Sequence, residues 1–224
     1  MEAPMFTVRI WDLPTRLFHW MLAACVVGLV ITGQLGGGAM AWHFRFGYSV
    51  MTLLLFRLIW GFLGGHWSRW RQLPLKPSSV WAYATGRASP SVLIGHNPLG
   101  SWSVLAMLFF LGFQVATGLV SDDEIATMGP FSSRVPGAVV SWATAWHKGW
   151  GKLILILLVA LHLLALVVYH WRKHPPLVPA MWHGDKHLPV SAVASRDTLS
   201  SRSWALFWFV VVCLIVAGLL ALAN

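Results

Sequence analysis

Five apolar runs of about 20 residues each constrain this chain more than anything else in it, since that length matches a bilayer core about 30 Å thick. They cover residues 17–35, 44–64, 100–120, 150–171 and 203–222. A backbone in lipid must satisfy its own hydrogen bonds, so each run is a helix unless a barrel closes, and period-2 alternation is absent from the runs. The expected class is all-α and integral to a membrane. With 57% hydrophobic and 10% charged residues in 224, the chain does not have the composition of a soluble globule, which carries about 25% charge. Asp12-Leu13-Pro14 and Asn97-Pro98 mark helix starts, each an N-cap with proline in the first turn. Cys25 and Cys213 lie inside apolar runs, which supports neither a disulfide framework nor a thiolate metal site.

Arg9, Arg16, an apolar stretch from Met21 and Ala39-Met40-Ala41 imitate a secretory signal, but a histidine and two tryptophans border the stretch. The first run is expected to be a retained helix. Loop charge sets the orientation. Arg9 and Arg16, then Arg69, Arg71, Lys76 and Arg87, then Arg172, Lys173, Lys186, Arg196 and Arg202 fall on one side. The other side has Arg45, Arg134, Lys148 and Lys152 beside Asp122, Asp123 and Glu124. The N-terminus is therefore expected in the cytoplasm and the C-terminus outside, as a multi-pass protein of a bacterial inner membrane. The formal charge of +9 becomes topology signal and lipid-headgroup contact, with no call for nucleic acid. Trp11, Trp20, Trp42, Trp67, Trp70, Trp150 and Trp171 fall near run ends as interface anchors. A short interfacial helix is expected near 80–88, and Pro175-Pro176, Pro179 and Pro189 preclude a long helix between the last two runs. No internal repeat is evident.

Ionisable side chains at membrane depth are costly, so histidines inside the runs are functional candidates. His19 lies in the first turns of the first run, His43 and His147 at the outer entrances of the second and fourth, and His162 deep in the fourth. Along a continuous helix His147 and His162 would be about 22 Å apart with a rotation of about 60°, one bundle interior at two depths. His43 is the partner expected for His147 and His19 for His162. Two imidazoles per level, with no nearby carboxylate or thiolate, are too few to close a zinc site. They suffice for an iron whose porphyrin supplies four nitrogens, so two stacked haems are expected. Gly28, Gly33, Gly47, Gly112 and Gly118 would admit a flat ring or a neighbouring helix. Arg57, a cation inside the second run, either snorkels to the cytoplasmic face or pairs with a haem propionate. His66, His96 and His170 at the cytoplasmic ends are left between solvation, a third haem and proton exchange, while His174, His183 and His187 are expected in solvent.

Several segments together resemble the prokaryotic cytochrome b561 family, which includes the b-type subunits of nickel-iron hydrogenases and a bacterial superoxide oxidase. The resemblance rests on residues 8–20 (VRIWDLPTRLFHW), 42–48 (WHFRFGY), 56–61 (FRLIWG), 95–100 (GHNPLG) and the histidines at 147 and 162, and it covers about residues 7–187. It implies a four-helix core holding two haem b groups through His19, His43, His147 and His162. Residues 188–224 would add a linker and a fifth transmembrane helix outside that core.

The function implied is electron transfer across the membrane, between the ubiquinone or menaquinone pool and a periplasmic redox partner such as a cytochrome c or a hydrogenase-like subunit. Iron saturated by two imidazoles leaves oxygen no open position, which favours outer-sphere transfer. Asp122, Asp123 and Glu124 either steer a basic partner or simply end the third span. The alternatives are superoxide:quinone oxidoreduction and, from another class, a histidine-based metal or proton transporter. A homo-oligomer is left open.

Overall fold

A computed structural model describes residues 5–125, 127–171 and 177–223. Arg172, Lys173, His174 and Pro175-Pro176 lie outside them. The chain is predominantly helical: α1 (Leu13–Leu35), α2 (Met40–Leu63), α3 (Pro77–Ala84), α4 (Pro98–Leu119), α5 (Gly137–Lys148), α6 (Trp150–Trp171), α7 (Leu177–His183) and α8 (Leu199–Ala221). Among the described residues five helical stretches are long and apolar enough to cross a membrane: Leu13–Leu35, Gly37–Leu63, Pro98–Leu119, Gly137–Trp171 and Leu199–Ala221. All five expected spans are present, and the protein is a multi-pass membrane protein. The interfacial helix appears as α3, shifted toward its proline at the first position.

The expected helix starts form as their chemistry requires. The Thr15 N–H donates to Asp12 Oδ1 at 3.0 Å and the Gly100 N–H to Asn97 Oδ1 at 2.7 Å. Asp12 does more than cap: fully buried, its Oδ2 also accepts from Trp60 Nε1 at 3.2 Å and from the Gly65 N–H at 2.8 Å.

Two features depart from expectation. The fourth span forms as expected over 150–171, but His147 is not on its helix: α5 ends at Gly149, whose φ of −103° and ψ of −107° interrupt the path, and α6 starts at Trp150. A Cβ on Gly149 would stand 2.8 Å from the Ala145 carbonyl oxygen, so only glycine fits the break. His147 therefore sits in the last turn of α5, and the helical arithmetic linking it to His162 does not apply. The second departure is a small antiparallel ribbon, β1 (Phe6–Arg9) paired with β2 (Asp185–Leu188), in register from Phe6 opposite Leu188 to Arg9 opposite Asp185.

The chain divides into two compact units, one of residues 1–18, 57–106 and 160–207, the other of residues 19–56, 107–159 and 208–224. The first contains the ribbon and a core of Val8, Ile10, Trp11, Ile94, Ala180 and Leu188. Trp11, expected at the interface, is in this core at 4% exposure, whereas Trp42, Trp150 and Trp171 are exposed. The stretch leading to α8 is sewn into the same unit. Ser195 donates its N–H to Arg9 O and its hydroxyl to Ile10 O, and Trp67 Nε1 donates to Val193 O. Asp197 accepts from Arg9 and Arg202, both at 2.9 Å, and from the Leu13 N–H. Lys186 is not in contact with headgroups: it is buried, and its Nζ donates to the carbonyls of Ile94 and Gly95.

In the second unit the α8 end is held by Arg134, which donates to the Leu222 carbonyl, and Phe209 packs edge-on against Phe56.

Candidate functional site

The second unit brings His43 of α2 and His147 of α5 face to edge, ring centroids 6.1 Å apart and planes at 86°. Each imidazole is seated in the same way. His43 Nδ1 is 3.1 Å from Leu29 O and 3.3 Å from Thr32 Oγ1 on α1. His147 Nδ1 is 2.9 Å from Gln114 O and 3.5 Å from Thr117 Oγ1 on α4. In both, a carbonyl at one position and a threonine three residues on face Nδ1, and a glycine four residues on lies against the ring. A Cβ at Gly33 would stand 3.1 Å from His43 Cε1, and one at Gly118 2.7 Å from His147 Cε1.

The chemistry follows from which nitrogen is used. With the Nδ1–H donating to a backbone carbonyl, each ring presents Nε2 as a lone-pair donor, the tautomer typical of a metal-ligating histidine. Two metal–imidazole bonds of about 2 Å placed end to end, plus the two ring radii, span about 6 Å, the separation found here. Among the described residues no three His, Cys, Asp or Glu side chains converge. A metal between these rings would need its other ligands from a group such as a porphyrin, and the donor set fits that group.

Gln114 grips His147 a second time. Its Nε2 donates to the His147 carbonyl at 2.7 Å, closing the end of α5 where the helix breaks, while its Oε1 is buried without a hydrogen-bond partner. Thr32, Thr117 and Gln114 went unrecognised from sequence. Their signal was present as Val30-Ile31-Thr32-Gly33 and Val115-Ala116-Thr117-Gly118, a four-residue echo in two spans where no repeat was expected. Of the other glycines singled out, Gly28 lies against Phe46, but a Cβ at Gly47 would meet nothing within 4 Å and one at Gly112 only Leu54 at 3.9 Å.

The other two histidines fall to different units, His19 of α1 to the second and His162 of α6 to the first, both half-buried. Arg57 of α2 belongs to the first. At 5% exposure it does not snorkel; its guanidinium lies 4.1 Å over the Trp70 ring and its Nη1 has no hydrogen-bond partner.

The remaining histidines of the first unit have local roles. His66 sits beside Trp67 on an open groove of about 480 Å³ with Ile94 and Ser191. Burial pushes its pKa down, with help from Arg69 and Arg71, favouring the neutral ring. His96 packs on Trp11, 4.6 Å between centroids. His187 is exposed, as expected, with Nδ1 3.0 Å from Thr7 Oγ1 across the ribbon, and His170 is exposed at the end of α6. In the second unit the acidic loop is occupied with its own turn. Asp123 Oδ1 accepts from the N–H groups of Ile125 and Thr127, and Asp122 Oδ1 from that of Glu124. That favours a loop that ends α4 over a docking patch.

Residues 10–184 match the family model described as prokaryotic cytochrome b561. The chain is similar to the probable Ni/Fe-hydrogenase B-type cytochrome subunit of Bradyrhizobium diazoefficiens, 24% identical over 80% of this chain and 86% of the relative. It is similar also to the same-named subunit of Cupriavidus necator, 28% identical over 70% and 78%, and to the hydrogenase 1 subunit of Escherichia coli K12, 26% identical over 54% and 64%. No solved structure matches the chain.

Proposed function

Because the chain belongs to the prokaryotic cytochrome b561 family, and so is a membrane b-type cytochrome of electron transport, we propose that it holds two haem b groups. One would take His43 and His147 as its ligands, and by sequence depth His19 and His162 fall to the other. Electrons would pass between the quinone pool, ubiquinone or menaquinone, and a redox partner on the periplasmic side. The observation carrying this reading is the paired seating of His43 and His147 at a ring separation suited to one shared iron.

Bound haem supplies the one-electron couple. The chain's own His43 and His147 would each hold it through Nε2, their tautomer fixed by Leu29 O and Gln114 O at Nδ1. The buried N–H of Arg57 costs about 1–3 kcal/mol while unpaired, which supports a haem propionate as its partner. The second haem rests on residue type and sequence depth. The names carried by the relatives from Bradyrhizobium and Cupriavidus support a hydrogenase-like subunit as the periplasmic partner, with a cytochrome c as the alternative.

Pyridine haemochrome quantification and a reduced-minus-oxidised spectrum test the reading. The purified protein is expected to carry two haems per chain. His147→Ala and His162→Ala are each expected to lose one while the other persists. A colourless preparation with no Soret band would overturn the haem reading in favour of a histidine-based transporter, and haem reduction on mixing the oxidised protein with superoxide would move the substrate to that radical.

A further inference from the structure

The two imidazole seats are chemical copies, and the threonine in each does more than fill space. Thr32 Oγ1 donates its proton to Gly28 O at 2.6 Å, and Thr117 Oγ1 donates to Phe113 O and Gln114 O, both at 3.0 Å. A hydroxyl that has given its own proton away offers only lone pairs to the histidine beside it, and donation strengthens it as an acceptor. Each Nδ1–H thus faces two acceptors, a carbonyl and an oriented hydroxyl, at 3.1 and 3.3 Å for His43 and at 2.9 and 3.5 Å for His147.

We propose that Thr32 and Thr117 are positioning residues that set the reduction potential of the group held between His43 and His147; this rests on the haem reading above. An Nδ1–H shared between two acceptors gives the imidazole partial anionic character and makes Nε2 a stronger donor. A stronger axial donor favours the ferric over the ferrous state, so the threonines hold the potential down. The shorter contact at Thr32 makes it the stronger of the two. The carbonyl in each seat is backbone and survives any side-chain change, so removing a hydroxyl should alter the potential without emptying the site.

The test is spectroelectrochemical titration of the purified holoprotein. Thr32→Val is expected to raise the midpoint of one haem by about a threefold shift in its oxidised-to-reduced ratio, which is about 28 mV at 59 mV per tenfold. Thr117→Val should raise the same midpoint by less. Haem content and the low-spin spectrum should stay at wild-type level, and Thr32→Ser and Thr117→Ser should restore the potential. Thr32→Ala and Thr117→Ala remove the same hydroxyls where valine impairs accumulation. Unmoved midpoints, with His43→Ala and His147→Ala each still losing one haem, would overturn the tuning role and leave the haem reading intact. Full haem content in His43→Ala would overturn both.

Discussion

At the level of single residues, the histidines that matter could be found from sequence because a titratable ring in an apolar run is conspicuous, while the groups that aim them are ordinary. Threonine, glutamine and glycine in a membrane helix are unremarkable until a partner helix is placed beside them. Gly33 and Gly118 make this testable, since both touch an imidazole carbon but at different distances. Gly118→Ala is expected to displace His147 and lose most of one haem, with Gly33→Ala milder; haem content per chain measures the difference. Lys186 shows what loop charge conceals. Counted from sequence as an orientation signal, it is buried, and desolvation lowers its pKa from 10.5 to about 8. Between those values the unfolded chain keeps a proton that the folded one has released, so this group's contribution to stability rises as pH climbs from about 8 to about 10.5. Lys186→Met should lack that rise, and thermal unfolding in detergent at pH 7.5 and 9.5 compares the two.

Among the elements, the five long helices were evident from length and hydropathy, and their caps from Asp12 and Asn97. The break at Gly149 was not, because one glycine between apolar stretches has no distinctive signature until the Ala145 carbonyl crowds it. The ribbon escaped notice for a different reason: its strands are four residues each and 176 positions apart at Arg9 and Asp185. Gln114 carries the consequence of the break, since its Nε2 donates to the His147 carbonyl at the end of α5. Gln114→Leu should lower stability by about 1–2 kcal/mol through the lost hydrogen bond, less whatever the orphaned Oε1 gives back, and loosen haem retention on heating. Asp12→Ala should cost more. It strips an N-cap worth about 0.5–2 kcal/mol and strands two buried N–H groups at Trp60 and Gly65. A thermal melt beside Thr198→Ala, which removes the hydroxyl accepting the Ser201 N–H at the start of α8, ranks the two.

For the whole molecule, charge distribution predicts both membrane sidedness and how the termini are held. A reporter active only in the periplasm should work at the C-terminus and fail at the N-terminus, the expected outcome for five crossings with basic loops inside. Residues 188–198, seen in the sequence as a linker, bind the N-terminal segment through Ser195 and Asp197. Burial opposes ionisation of Asp197, but hydrogen bonds from Arg202 and Leu13 and the charges of Arg202 and Arg9 outweigh it and hold its carboxyl below the usual range. The stability it lends is present above the ordinary carboxylate pKa and is lost as pH falls through the lower folded value. Asp197→Asn should flatten that acid limb of a melting curve. The ribbon also imposes an order of events during synthesis. The strand Phe6–Arg9 emerges first, yet its partner lies 176 residues later; at about 5–20 residues per second the ribosome takes on the order of 10–35 s to reach it. Until then the opening strand keeps a bare edge. The first four spans are made before that edge can close, so the ribbon latches only onto a chain that has already threaded the membrane.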